Sequence, residues 1–380
     1  MRFLPAFFTA TSLLLSGTSL PALADALNTK ADYAYILDGD TGLSLYSKNG
    51  DEAFIPASMT KIMTAYVVFE RLRDGRLSLD DEFVVSETAW REGGAASGGS
   101  TMFLDLGSKV SVQDLLRGII IQSGNDACIV IAEAISGSQE AFAEEMTRRA
   151  QELGLKSAHF ENPTGLYSDN HRVSAADLAK LAYLTITEFP EYYDIYAEKE
   201  FTWNGIRQPN RNPLLGEVDG ADGLKTGHLE ISGYGLVGSA VRDGKRRIIV
   251  LNGLESIADR ASEARRVMRA AFNDFKVVEV IQPDQIVGEA EVFLGTKKTV
   301  ELKANELVKA ALHSDAIRDI EVELVYSGPL KAPLKAGDIV GQIVVTAPGM
   351  NEIVTPAVIA ESVERKNLFE RALVGLGLTG

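Results

Sequence analysis

Apolar residues recur along this chain with two different periods, and the switches between them mark out its organisation. Near the start, Tyr33-Ala34-Tyr35-Ile36-Leu37-Asp38 and Leu43-Ser44-Leu45-Tyr46 flank Gly39-Asp40-Thr41-Gly42, two apolar-rich runs about a turn, which predicts a β-hairpin. The period then lengthens. Ile62, Ala65, Tyr66, Phe69 and Leu72 fall on one helical face, and Pro56 precedes them, which predicts a helix over 58–72. Four more helices are expected over 112–123, 127–135, 139–153 and 175–187. Strand-like runs return at 234–240 and 247–251, joined through Asp243-Gly244, a strong hairpin signal. A helix over 261–275 closes this part. Strands at both ends around a helical block predict an α+β domain. Its two ends share one sheet flanked by helices, and an all-helical lobe lies between them in sequence.

From about residue 276 the pattern changes to short strand candidates at 277–281, 290–294, 299–303, 320–326 and 339–346. Gly and Pro clusters such as Ser327-Gly328-Pro329 separate them. Ile320-Glu321-Val322-Glu323-Leu324 alternates cleanly, as a strand with one wet face does. A separate small all-β domain over 276–360 is expected, of roughly 85 residues. The remainder, 361–380, places Leu368, Phe369, Ala372, Leu373 and Leu376 on one helical face. Such a tail suits contact with a membrane surface, and equally a helix packed on protein.

The first 24 residues differ from the rest. Arg2, an apolar run over 3–15 and the small-x-small string Ala22-Leu23-Ala24 have the layout of a secretory signal peptide. This predicts export beyond the cytoplasmic membrane, with the first folded domain expected over 25–275. Composition narrows the field further. Of 380 residues, Lys and Arg number 38 and Asp and Glu 53, a net charge of −15, which disfavours nucleic acid as a partner. At 46% apolar the chain is not disordered. Its one cysteine, Cys128, excludes an internal disulfide and a cysteine metal cluster, and no metal or cofactor is expected.

Three short strings carry candidate chemistry. Ser58-Met59-Thr60-Lys61 opens the first long helix, and positions i and i+3 share a face, so Lys61 can reach the Ser58 hydroxyl. A helix start also offers unpaired N–H groups beside a developing oxyanion. Ser123-Gly124-Asn125 lies at the junction of two helical patterns. Lys225-Thr226-Gly227 precedes the later strands, and its glycine would let a substrate lie close against the chain. Singly, these strings read equally well as an N-cap, a turn and a strand edge.

Together and in this order they are specific, with separations of 123 − 58 = 65 and 225 − 123 = 102 residues. The set matches the serine-x-x-lysine, Ser-Asp-Asn and Lys-Thr-Gly motifs of class A β-lactamases and penicillin-binding proteins, with glycine in the middle of the second. The chain resembles the low-molecular-mass penicillin-binding proteins, the serine D-alanyl-D-alanine carboxypeptidases. Gln122-Ser123-Gly124-Asn125-Asp126-Ala127-Cys128, Phe201-Thr202-Trp203-Asn204-Gly205-Ile206-Arg207-Gln208, Asn210-Arg211-Asn212 and Asp222-Gly223-Leu224-Lys225-Thr226-Gly227-His228 carry the likeness. The resemblance implies a β-lactamase-like antiparallel sheet flanked by helices, and removal of the terminal D-alanine from peptidoglycan stem pentapeptides during cell-wall biogenesis. β-Lactam antibiotics would act as covalent inhibitors.

On the same resemblance, Ser58 is the acyl-forming nucleophile, Lys61 its base, and Ser123 a proton relay to the leaving amine. Asn125 holds Lys61 and the substrate amide. The Ser58 and His228 backbone N–H groups form the oxyanion hole, while Lys225, Thr226, Gly227, Arg211 and Arg260 receive the terminal carboxylate end. A free lysine titrates near ~10.4, so burial and a second cation, for which Lys225 is the candidate, must lower it. One position departs from the family: Thr164 stands before Gly165-Leu166 where many relatives carry histidine, which bears on deacylation. The alternatives are a β-lactamase of the same fold and a non-catalytic peptidoglycan-binding scaffold. Glu200 and Asn204 have the four-residue spacing of a class A water-positioning pair, but lie only 225 − 200 = 25 residues before Lys225.

Overall fold

The structure, a computed structural model, describes residues 27–375. The expected signal, 1–24, lies outside the described residues. The described chain divides into two compact units, Leu27–Asp274 and residues 275–375.

In the first unit, the hairpin strands Tyr33–Asp38 and Ser44–Lys48 join Lys245–Leu254, Gly233–Arg242 and Ala221–Leu229 in one antiparallel five-stranded sheet. The order is 44–48, 33–38, 245–254, 233–242, 221–229, so both sequence ends of the unit do share the sheet. Tyr33 pairs with Asn252 and Asp38 with Arg247. Asp243 (φ 50°) and Gly244 (φ 72°) turn the 233–254 hairpin in the left-handed conformations that a tight two-residue loop requires.

Ile248, Ile249, Val250 and Leu251 are all buried, as in a strand covered on both faces. Ile248 and Val250 belong to the core cluster with Leu178 and Leu181 of the helix Ala175–Glu188. Alternation turns Ile249 and Leu251 to the other face. The helix Ile257–Asn273 also contacts this strand, and Arg247 donates to the Ala271 carbonyl at 3.0 Å. Asp38 forms a buried ion pair with the same arginine, tying the first strand to the last.

The helical block contains Lys61–Arg73, Val112–Arg117, Asn125–Ser136, Gln139–Glu152 and Ala175–Glu188. Ser111, Ser138, Ser174 and Ser256 cap helix starts by accepting the N–H of the residue three positions on. One helix start and one helix end change backbone pitch where the periodicity does not. The α-helix expected from residue 58 begins at Lys61, after a 3₁₀ turn over Ala57–Thr60, and Ala57 is held at φ 51°. The helix expected over 112–123 widens into a π-helical turn, Gly118–Gln122, and Ser123 then takes a left-handed conformation (φ 61°). Side-chain periodicity reports which face is buried and is blind to these changes of backbone pitch. Both changes occur at the serines singled out for chemistry.

The second unit pairs Phe275–Ile281 with Val308–His313 and adds a six-stranded sheet. Its order is Glu321–Tyr326, Ile339–Thr346, Ile353–Ile359, Thr299–Lys303, Ile286–Phe293 and Leu330–Lys331. Val308–His313 and Ile353–Ile359 were not expected from the pattern. The first contains Lys309, Ala310 and Ala311 and the second contains Pro356, all poor strand signals. A helix, Leu368–Gly375, lies in the tail, with Asn367 and Glu370 capping each other and Leu368 and Phe369 exposed. Among the described residues no helix is long and apolar enough to cross a membrane.

Candidate active site

The 3₁₀ turn Ala57–Thr60 packs against the edge strand Ala221–Leu229. A Cβ on Gly227 would lie 2.7 Å from the Pro56 carbonyl oxygen and 3.2 Å from the Ala57 Cβ. Glycine at 227 therefore admits the approach that sets Ser58 beside the strand.

Lys61 follows one turn after Ser58 and is buried to 1% exposure. Its Nζ donates to Ser58 Oγ at 2.9 Å, Asn125 Oδ1 at 2.8 Å and the Thr164 carbonyl at 2.7 Å. An ammonium has three N–H donors, and these three acceptors use all of them. A neutral amine keeps two N–H bonds and one lone pair. Asn125 Oδ1 and the Thr164 carbonyl oxygen can only accept, so they take the two N–H bonds. The lone pair is then left facing Ser58 Oγ, which alone of the three partners has a proton to give.

Burial lowers the Lys61 pKa to about 8, and the Arg211 guanidinium adds to the effect. Cys128, fully buried beside it, is pushed up to about 11 by desolvation, so it remains a neutral thiol where Lys61 titrates. Lys225 is also buried and is held well below its ordinary value by desolvation, then by Lys61 and Arg211. The cation expected to depress Lys61 was Lys225. In the structure the two buried lysines repel each other, and the Arg211 guanidinium adds to the effect on both.

The second string sits where the π-helical turn ends. Ser123, 2% exposed, precedes Gly124, whose N–H donates to the Gly118 carbonyl at 2.8 Å. Asn125 N–H donates to the Ser100 carbonyl at 2.8 Å, which ties the glycine-rich 93–100 stretch to the site. Asp126, which sequence reasoning missed, secures the residues that follow that stretch. Its buried carboxylate accepts from Thr101 Oγ1 at 2.7 Å and from the N–H groups of Met102 (2.8 Å), Leu104 (3.1 Å) and Ala127 (3.0 Å). Its adjacency to Asn125 was the available signal.

Lys225 Nζ donates to the Thr226 carbonyl at 3.2 Å, and Thr226 is buried beside it. His228 stacks on Tyr234 with ring centroids 3.8 Å apart, and the Arg260 guanidinium lies 5.6 Å from the same Tyr234 ring. Arg260 is 8% exposed, and its buried Nε has no hydrogen-bond partner among the described residues. Arg211 Nη1 donates to Ser100 Oγ at 2.6 Å. Among the described residues, none of Lys61, Lys225, Arg211 and Arg260 has a carboxylate within 4.0 Å. Two guanidiniums and two buried lysines without carboxylate partners make the site a receptor for an anion.

Glu200 is engaged elsewhere, in an exposed ion pair with Arg207, and Asn204 Nδ2 donates to Asp105 at 2.9 Å. Among the described residues no group of acidic, His or Cys side chains is arranged to hold a metal.

A buried lysine shared by a serine and an asparagine, beside an edge strand carrying Lys-Thr-Gly on a helix-flanked antiparallel sheet, defines a serine peptidase of the penicillin-binding class. The chain belongs to the D-alanyl-D-alanine carboxypeptidase family, whose profile matches residues 21–255. The C-terminal domain of penicillin-binding protein 5 matches residues 275–365. D-alanyl-D-alanine carboxypeptidase DacC of Escherichia coli is 39% identical over 339 residues, 88% of this chain and 85% of that protein. The crystal structure of the carboxypeptidase DacD from Francisella tularensis superposes with a TM-score of 0.79 at 31% identity, covering 91% of this chain and 96% of that one. Penicillin-binding protein 5 from Haemophilus influenzae gives 0.69 at 34% identity, covering 89% and 98%.

Proposed function

We propose that this protein is a serine D-alanyl-D-alanine carboxypeptidase that removes the terminal D-alanine from peptidoglycan stem pentapeptides through an ester on Ser58. The observation that carries this reading is the environment of Lys61: buried, titrating near 8, and 2.9 Å from Ser58 Oγ. Serine is a weak nucleophile without an adjacent base. The neutral Lys61 amine takes the Ser58 hydroxyl proton as Oγ attacks the carbonyl carbon of the penultimate residue. The oxyanion that forms is received by the backbone N–H groups of Ser58 and His228. The C–N bond then breaks, and the proton held by Lys61 passes through Ser123 to the departing amine. Asn125 holds Lys61 through Oδ1 and turns its amide to the substrate backbone. Water hydrolyses the ester and restores Ser58.

The leaving residue ends in a free carboxylate, the anion for which the cleft is built. Lys225, Thr226, Arg211 and Arg260 receive it, with Gly227 allowing close approach along the strand. β-Lactams acylate the same serine. We further propose that the enzyme is exported, works at the periplasmic face of the inner membrane, and touches the membrane surface through 361–380. The exposed Leu368 and Phe369 support that contact.

Mass spectrometry of a pentapeptide incubated with the protein tests the reading: a tetrapeptide and free D-alanine are expected. Intact pentapeptide would overturn it, and rapid turnover of a fluorescent penicillin would point to a β-lactamase instead.

A further inference from the structure

His171 is fully buried, and no role in the reaction has been assigned to it. Its Nδ1 accepts the Glu161 backbone N–H at 3.3 Å, and its Nε2 lies 2.8 Å from Thr60 Oγ1. A backbone amide can only donate, so Nδ1 carries no hydrogen. The neutral ring therefore bears its proton on Nε2 and donates it to Thr60. Thr60 is the residue before Lys61.

The other contacts of this loop follow the same geometry. His159 and Arg172 exchange two backbone hydrogen bonds of 2.9 Å and close the base of the loop between them. From that loop, the Pro163 carbonyl accepts from Thr64 Oγ1 at 2.7 Å and the Thr164 carbonyl accepts from Lys61 Nζ at 2.7 Å. Gly165, at φ 81°, lies against Ala57 so closely that a Cβ there would sit 1.9 Å from the Ala57 carbonyl oxygen. The residues met are 57, 60, 61 and 64, spaced i, i+3, i+4 and i+7, one face of the nucleophile turn and its helix. Three of the four contacts come from 163–165, within one short stretch of backbone. The His171–Thr60 bond anchors the far end of the loop to the same face.

We propose that His171 is a positioning residue: by clamping the 161–171 loop to Thr60, it holds the Thr164 carbonyl on Lys61 and so aims the lysine lone pair at Ser58. Two acceptors orient the neutral amine. Asn125 comes from the helical lobe, and the Thr164 carbonyl depends on the loop. If the loop lifts, one N–H of Lys61 is released and the amine can rotate. The inference rests on the Ser58–Lys61 reaction proposed above.

Thr60→Val removes the hydroxyl at nearly constant shape, His171→Leu removes both ring bonds, and His171→Gln keeps an amide that can accept and donate. Acylation by a fluorescent penicillin, thermal melting, and NMR titration of the Lys61 Nζ with ¹³C-labelled lysine are read on each. Folded Thr60→Val and His171→Leu proteins should acylate at least about tenfold more slowly, the loss of one positioning hydrogen bond and its geometry. The double variant should be no slower than the worse single one, and His171→Gln should recover part of the rate. The Lys61 midpoint should fall, since the carbonyl that favours the charged form is withdrawn. If His171→Leu does not fold, Thr60→Val and His171→Gln carry the test. Acylation within twofold of the parent together with an unmoved Lys61 midpoint would overturn the clamp, as would losses that multiply in the double variant. If the parent itself takes no label, the proposed reaction fails. The NMR midpoint then still decides whether the clamp holds Lys61.

Discussion

Lys61 Nζ lies 2.8 Å from Asn125 Oδ1, joining two residues 64 positions apart in the chain. This contact brings the first helix and the Ser-Gly-Asn turn to one point. Burial of that point lowers the lysine pKa, because water that would solvate an ammonium is excluded.

Acylation should therefore depend on the fraction of neutral Lys61. The rate constant for penicillin labelling should rise with pH through about 8, since only the unprotonated amine can accept the Ser58 proton. Ser58→Ala should take no label at all. Lys61→Gln should be slower by about 10²–10⁴-fold, the usual worth of a general base. A flat profile between pH 6 and 9 would remove Lys61 from that role.

Among the described residues, Arg260 offers a buried guanidinium with an unpartnered Nε and no carboxylate within 4.0 Å. Arg260→Leu should lower kcat/KM for peptides with a free terminal carboxylate by about 10–100-fold, as expected for a charged hydrogen bond of about 1.5–3 kcal/mol. The same peptide with an amidated terminus, a poorer substrate from the outset, should lose much less. Steady-state kinetics on the two peptides check this, and equal losses would count against carboxylate recognition.

Burial holds His171 down to about 4, with Lys61 and His159 lowering it further and Glu161 opposing them. The folded state thus binds a proton less readily than the unfolded chain, whose histidine titrates near ~6.5. Stability is present in full above that unfolded value. It is lost as pH falls from about 6.5 towards about 4, a loss of order ~3 kcal/mol from this residue alone. Chemical denaturation at pH 7.5, 5.5 and 4.5 should show the decline, and a folded His171→Gln protein should show a shallower one.

Cys128 is fully buried and its thiol is pushed up to about 11. Because the thiolate is the reactive form, the native enzyme should ignore a disulfide reagent at pH 8. One equivalent should react after denaturation. Modification of the native protein at a comparable rate would mean that the site opens.

Asp126 gathers Thr101, Met102, Leu104 and Ala127 onto one buried carboxylate. Asp126→Ala would strand several buried N–H groups, each at about 1–3 kcal/mol. The melting temperature should fall sharply, and labelling of Ser58 should fall with it, since Asn125 shares the segment. A melting temperature within a few degrees of the parent would contradict this.

Much of this fold is legible before any coordinates. The Ile62–Leu72 periodicity, the alternating Ile320–Leu324 run and the Asp243-Gly244 turn each report burial or turn chemistry through local spacing, and each element appears. The helix start at 58 and the helix end at 123 were misplaced, because changes in backbone pitch leave the apolar face intact. Val308–His313 was missed because its Lys309-Ala310-Ala311 string becomes a strand only through pairing with Phe275–Ile281. In the site, the three motif strings named Ser58, Lys61, Ser123, Asn125 and Lys225, but they could not name a backbone atom. The Thr164 carbonyl has no side-chain signature, so its place on Lys61 was invisible.

The sequence by itself determined which groups are available: a serine three residues from a lysine, an asparagine, a second lysine beside a glycine, and enough apolar length to bury them. Tertiary structure alone decided what those groups are. A lysine near pH 10 becomes one near 8 only when residues 64 and 103 positions away close over it and exclude water. Spacing along the chain encodes faces and turns, whereas desolvation belongs to the assembled volume around an atom. The proposed base at Lys61, and the loop clamped by His171 that would aim it, depend on that assembled volume.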